Sequence, residues 1–151
     1  MLGIEDLKNF LEENSIQAEI IEFEKPVITS KDVLKLLGNV KVVKSILIIT
    51  EKFPIVCILP GNRKIDFEKI KKLFEVKEVR LAKAKEVKEI TGYDIGALPP
   101  FAHKQKIKTI VDKSLENIKE DVYCGGGSHY SLLKINPKIL IEMFEVKDFS
   151  C

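Results

Sequence analysis

The chain has 151 residues, 45% hydrophobic and 32% charged, with a net charge of +2. That is the composition of an ordinary soluble globular protein, long enough for one domain with a proper core and not a global polycation. No apolar run approaches the roughly 20 residues of a membrane helix, so no membrane is expected as a partner. Met1–Asp6 lacks a basic n-region and an apolar h-region, which makes a cytoplasmic location the expectation.

Cys57, Cys124 and Cys151 are widely spaced, and no CxxC or HxxxH occurs. Neither a disulfide framework nor a zinc site is expected, and no metal or cofactor is indicated. Arg is confined to Arg63 and Arg80, and Gln to Gln17 and Gln105, amid abundant Lys and Glu. That bias resembles a thermophile composition, which predicts a heat-stable protein, although an AT-rich genome gives the same excess of Lys.

Ile4, Leu7 and Leu11, with Phe10, recur at helical spacing and predict an amphipathic helix over 4–14. Gln17 to Phe23 reads as a strand, broken at Lys25-Pro26. Ser30 reads as the N-cap of a short helix through Leu37, closed by Gly38. Lys41 to Thr50 is the most β-prone run in the chain. Val42, Lys44, Ile46 and Ile48 alternate with Val43, Ser45, Leu47 and Ile49, so both faces are apolar and both should be covered. Phe53 to Leu59 returns as its hairpin partner.

Asp66 caps a helix with the stripe Phe67, Ile70, Leu73 and Phe74. Val79 to Ala82 is a short strand, and Lys85 to Ile90 a short helix stopped at Thr91-Gly92. Residues 92–101 are irregular. Lys106 to Val111 is a strand, and Asp112 starts a turn or short helix. Val122 to Cys124 and Tyr130 to Ile135 are strands separated by Gly125-Gly126-Gly127. Asn136-Pro137 opens a last helix that buries Ile139, Leu140, Met143 and Phe144. Helices and strands mix without strict βαβ alternation. The fold class is α/β, one domain over 1–151, with a mixed sheet curled towards a barrel and short helices around it.

Chemistry could sit in five places. Lys44 is a charge in a buried strand; it either snorkels to solvent near the strand start or projects into a site for an anion or a polarised carbonyl. The stretch Gly92-Tyr93-Asp94-Ile95-Gly96-Ala97-Leu98-Pro99-Pro100-Phe101 is a structural connector or a binding loop whose backbone N–H groups reach an oxyanion. Gly125-Gly126-Gly127-Ser128-His129 is a second glycine-rich break, neither a P-loop nor G-x-G-x-x-G. Ser128 and His129 point to opposite faces of an extended chain and form no dyad; His129 either is structural or positions a substrate or a proton. Cys124 is a nucleophile only with a base beside it, and otherwise a small core residue. Lys104, Lys106 and Lys108 would share one face of an extended segment, either as a solvated stripe or against phosphates.

Five motifs in order resemble a known family: V-K-S-I, I-L-P-G-N-R-K-I-D, V-R-L-A, T-G-Y-D-I-G-A-L-P-P-F, and G-G-G-S-H before a strand and N-P. Over residues 4–145 the chain resembles the YbaK/prolyl-tRNA synthetase editing-domain superfamily, the aminoacyl-tRNA deacylases. The resemblance implies hydrolysis of the ester on mischarged tRNA, typically tRNA for proline carrying alanine or cysteine. A chain of this length would act free-standing in trans, with a synthetase as a further partner. By position, Lys44, Gly96 and His129 take the catalytic places. Gly92, Tyr93, Ala97, Leu98, Pro99, Pro100, Phe101, Gly126, Gly127 and Ser128 take the substrate-binding ones. Gly125 and Leu132 stand where cysteine-specific relatives carry Ser and Asp, which argues against cysteine specificity. Water or the ribose hydroxyl would attack, with no protein nucleophile and no metal. The competing readings are a non-catalytic module that binds tRNA, a nucleotide or a synthetase, and a Cys124 hydrolase.

Overall fold

Strand β2, Lys41–Thr50, is the centre of the computed structural model, which describes residues 1–151. It runs antiparallel to β3, Pro54–Pro60, in register from Val43 opposite Pro60 to Ile49 opposite Pro54. This is the hairpin expected from the sequence. Its turn is tied by the Thr50 hydroxyl, which donates to the Phe53 carbonyl at 2.7 Å and accepts from the N–H groups of Lys52 and Phe53.

Beyond β3 lie β5, Lys108–Asp112, and β8, Glu145–Lys147, both parallel additions. On the other side of β2 comes β6, Val122–Gly125, then β7, Ser131–Ile135, then β1, Ala18–Glu22. The β6–β7 and β7–β1 pairs are antiparallel. The order β1-β7-β6-β2-β3-β5-β8 makes a mixed sheet that stays open rather than closing into a barrel. β4, Val79–Leu81, pairs with the far end of β2.

The position of the site follows from one detail. β6 meets β2 only at Lys41 and Val42, and β4 meets it only from Ile48 on, preceded by the Ala82 N–H donating to the Leu47 carbonyl. Between these contacts β2 has a strand partner on one side alone, and the sheet forks.

Alternation on β2 works as read. Val43 and Leu47 enter the largest core cluster with Leu7, Tyr93 and Leu133. Ile46 and Ile48 face a second cluster with Ile55, Ile70 and Phe149. The helices α1 (Ile4–Glu13), α3 (Phe67–Phe74) and α5 (Pro137–Met143) bury Leu7 and Leu11, Ile70, and Leu140 against these clusters.

Four details depart from the sequence reading. Helix α2, Ser30–Leu37, is capped by Thr29, one residue earlier than expected: the Thr29 hydroxyl accepts from the Asp32 N–H, and the Asp32 carboxylate accepts from the Thr29 N–H. β5 starts at Lys108, so Lys104 and Lys106 precede the strand and share no strand face with it. Met143 is 38% exposed, because α5 ends there. β8 follows α5 after a single residue, with no Gly or Pro to announce it.

The chain's end returns to the sheet. Lys64 and Cys151 exchange N–H to carbonyl bonds, and Phe149 and Ser150 are fully buried. The buried Asp112 carboxylate receives the N–H groups of Ser114, Phe149 and Ser150 and the hydroxyls of Ser114 and Ser150.

Candidate active site

A cleft of about 80 Å³ opens at the fork of the sheet. One wall is β2 from Val42 to Ser45; the others come from residues 27–30 and Val33, from Gly96 and Leu98, and from Tyr123–Gly125 with Leu132. Lys44 and Ser45 point to opposite faces, yet both line it, because the unpaired edge of β2 is itself the wall.

Lys44 is half-buried and its Nζ donates to the Gly61 carbonyl at 3.2 Å. None of the chain's ion pairs includes it. Burial lowers its pKa, and the nearby Lys64 ammonium lowers it further. The ammonium thus faces the cleft without an anionic partner. Ser45 Oγ is buried and has no hydrogen-bond partner at all. Such an orphan costs free energy unless something fills its valence.

The loop after helix α4 (Ala84–Thr91) presents backbone to the same space. Gly96 has φ +85°, and a Cβ there would sit 2.5 Å from Ile28 Cγ2, so glycine is required twice over. The Ala97 N–H is engaged by the Asp94 carbonyl at 3.0 Å, and the Ala97 carbonyl by the Gly127 N–H at 2.9 Å. The N–H groups of Gly96 and Leu98 have no acceptor within the fold. They are the amides of this loop available to a ligand. A Cβ on Gly125 would collide with the Leu98 carbonyl, so the two glycine-rich segments lie backbone to backbone.

Of the residues singled out from sequence, the cleft brings together Lys44, Gly96, Leu98, Cys124, Gly125 and Leu132. The others support it from behind. His129 Nε2 lies 3.1 Å from the Ile95 carbonyl, which the Nε2–H tautomer satisfies as donor, and the His129 carbonyl accepts from Val27. Ser128 Oγ accepts from the Tyr130 N–H and pairs with Ser131 Oγ, which bonds the Gly126 carbonyl. Tyr93 is fully buried, its hydroxyl donates to the Ala102 carbonyl, and burial raises its pKa. Phe101 stacks on Phe10 with ring centroids 5.1 Å apart. Pro99 offers its carbonyl to His103 Nε2 at 2.8 Å, Ala97 and Pro100 are buried, and Gly92 caps α4.

Sequence reasoning missed Ser45 and the segment from Val27 to Ser30. Ser45 is the one hydroxyl within the apolar run of β2 before its terminal Thr50, and its place beside Lys44 was the available signal. Cys124 lines the cleft, but full burial pushes its thiol up to about 12 and no base contacts it, so it is an unreactive core group. The lysines 104, 106 and 108 lie outside the cleft; Lys108 instead pairs with Glu145 and sits 5.4 Å above the Phe74 ring. No helix is long and apolar enough to cross a membrane.

Comparison with known proteins gives a consistent likeness. The family model described as "Aminoacyl-tRNA editing domain" matches residues 24–143. The proline–tRNA ligase of Aquifex aeolicus is 32% identical over 98 residues, covering 64% of this chain and 17% of the ligase. That of Streptococcus thermophilus is 23% identical over 125 residues, or 81% of this chain and 20% of the ligase. The chain therefore spans a fifth or less of these relatives' length. Among solved structures, a hypothetical protein superposes with TM-score 0.89 at 30% identity, covering 97% of this chain and 99% of the other. A protein proposed to be a trans-editing enzyme for prolyl tRNA synthetase superposes with TM-score 0.88 at 25% identity, covering 98% and 96%.

Proposed function

Because this chain belongs to the aminoacyl-tRNA editing domain family, we propose that it is a deacylase that clears mischarged tRNA in trans. In this reading the whole chain is one catalytic domain, working in the cytoplasm on tRNA for proline, alongside the synthetase that mischarges it. The observation that supports the reading best is the company Lys44 keeps. One small cleft holds an ammonium without a counter-ion, two amides without acceptors and an orphan hydroxyl.

The chemistry follows from those groups. Water, oriented by the neighbouring ribose hydroxyl, attacks the ester carbonyl and gives up a proton as negative charge develops on the carbonyl oxygen. The Gly96 or Leu98 N–H donates to that oxyanion. Lys44 supplies positive charge beside the ester and the terminal phosphate. Collapse breaks the acyl–oxygen bond; the departing ribose oxygen takes up the proton that the water lost, and the free amino acid leaves the tRNA hydroxyl behind. His129 acts at one remove, holding Ile95 and with it Gly96 in place. Tyr93, Ala97, Pro99, Pro100, Phe101, Gly126, Gly127 and Ser128 keep the two loops in register.

Selectivity is by size and polarity. Val33, Leu98 and Leu132 give the cleft one apolar wall, and Gly125 and Leu132 offer no side-chain polar group for a thiol. Alanine fits such a space better than cysteine. A single methylene is worth only about 1–3 kcal/mol of discrimination, which is the limitation that editing exists to overcome.

The test is deacylation of alanyl-, cysteinyl- and seryl-tRNA by the wild type and by Lys44→Ala. Alanyl-tRNA for proline is expected to turn over fastest. Lys44→Ala is expected to lose on the order of 100-fold or more, the scale of removing one transition-state contact, with its melting temperature unchanged. Full activity in the variant refutes the role of Lys44, and no wild-type turnover on any of the three points instead to a binding module.

A further inference from the structure

A second concavity adjoins the cleft and shares Ser30 and Val42 with it. It is a groove of about 870 Å³ bounded by α2, the start of β2 and the loop after β3. Its charged lining residues are Lys31, Lys35, Lys41 and Arg63, with no acid among them. None of the four takes part in an ion pair, whereas most pairs elsewhere on the surface join neighbouring Lys and Glu.

Folding does not explain the three lysines. Lys31 stands in the first turn of α2, where the helix dipole disfavours a cation. Lys31 and Lys35 are four residues apart on that helix, a like-charge spacing that destabilises it. Arg63 is held rather than free: its Nε donates to Ser150 Oγ at 2.5 Å, and that hydroxyl donates to the buried Asp112 at 2.8 Å. The net charge of the chain is only +2, so the positive potential here is local.

We infer that this groove seats the phosphate backbone of the RNA strand whose 3′ end enters the cleft, an inference that rests on tRNA being the substrate. Unpaired cations that outnumber acids along a track suit a polyanion of regular charge spacing. The amides of Asn39 and Asn62 suit ribose hydroxyls, and the 45% exposed Leu34 gives a base an apolar surface. An acidic polypeptide would use the charges but not the continuity with a cleft sized for one aminoacyl group.

The experiment is fluorescence anisotropy with an uncharged RNA hairpin carrying a single-stranded 3′ tail, across a salt series. The variant Lys31→Gln/Lys35→Gln/Lys41→Gln is expected to bind at least about tenfold more weakly, with the slope of log K against log[salt] smaller by about two, as loss of three phosphate contacts at roughly 0.7–0.9 each requires. Lys85→Gln, outside the groove, is expected to match the wild type. All three groove lysines are exposed; should the triple variant fail to melt cooperatively, the single charge reversal Lys35→Glu is expected to weaken binding in the same direction, with the slope smaller by about one. Unchanged affinity and slope, absence of RNA binding by the wild type, or equal competition by polyglutamate overturns the inference. Parallel deacylation of alanyl-tRNA separates the two readings. RNA binding through the groove without turnover removes the deacylase and keeps the groove; undiminished turnover in the triple variant removes the groove and keeps the deacylase.

Discussion

Gly125 carries more of the site's geometry than its lack of a side chain suggests. The Leu98 carbonyl occupies the place a Cβ would need, and the same contact keeps Gly96 and Leu98 against the fork of β2. Gly125→Ala must push the 92–101 loop away from β6. The expected cost is about 1–3 kcal/mol, as for overpacking elsewhere, read as a lower urea midpoint, together with a loss of deacylation larger than the stability loss explains. Unchanged midpoint and turnover would show that the loop yields freely. Lys44 was legible in the sequence because an ammonium in a run of Val and Ile violates a strong burial rule. Ser45 was not, because a hydroxyl in a strand violates nothing until its partners are counted, and partners are a tertiary property. Gly125 was legible as one of three glycines in a row and as a missing Ser, but its packing role shows only in the approach of Leu98, 27 positions earlier in the numbering.

At the scale of elements, the loop over 92–103 is held by side chains rather than by a ladder. Tyr93 closes onto Ala102, and His103 closes onto Pro99. Burial lowers the His103 pKa, and its bond to the Pro99 carbonyl offsets only part of that. The unfolded chain, with an ordinary His near about 6.5, therefore takes up a proton before the folded one does. The contribution of neutral His103 is complete above about pH 6.5 and is lost as pH falls from there through the lowered folded value. Stability is expected to fall over that interval, with hydrogen exchange rising first at residues 94–103, and His103→Gln should flatten this limb of the profile. A profile identical in the variant assigns the acid limb to other groups. The sequence marked this stretch as irregular and as a candidate site from its glycines and prolines. It did not show what locks it, since His103 lies beyond the motif and its partner is a backbone carbonyl. The regular elements were legible almost to the residue wherever the period was clean, as in β2 and α3, where alternation and an Asp cap leave little choice. β8 was not, because three residues that add to an edge have no periodicity to read.

For the whole molecule the question is where a Lys- and Glu-rich chain would get heat stability. The surface pairs are solvent-exposed on at least one side, and exposed pairs contribute little singly. Even Arg80 and Glu86, bidentate at 2.7 and 2.8 Å and with the Glu86 carboxyl held down to about 2, lie at the surface. The Asp112 clasp is different. Burial alone would raise this carboxyl, but the hydroxyls of Ser114 and Ser150 and the amides of Phe149 and Ser114 outweigh it and hold the pKa below the usual range. The clasp fastens the last residues of the chain to the end of β5 and through Ser150 to Arg63, so it joins sequence positions that no local element connects. Asp112→Ala leaves several buried donors unanswered at once. It is expected to cost about 3 kcal/mol or more, since each orphaned group costs roughly 1–3, and to lower the melting temperature by on the order of 10 °C. Arg80→Ala, by contrast, should leave the midpoint close to that of the wild type. In the same scans the wild type is expected to melt cooperatively above about 60 °C, past the ordinary mesophile range. Should Arg80→Ala prove the more damaging variant, heat stability resides in the surface charges after all, and the buried clasp is only the fastening of a tail.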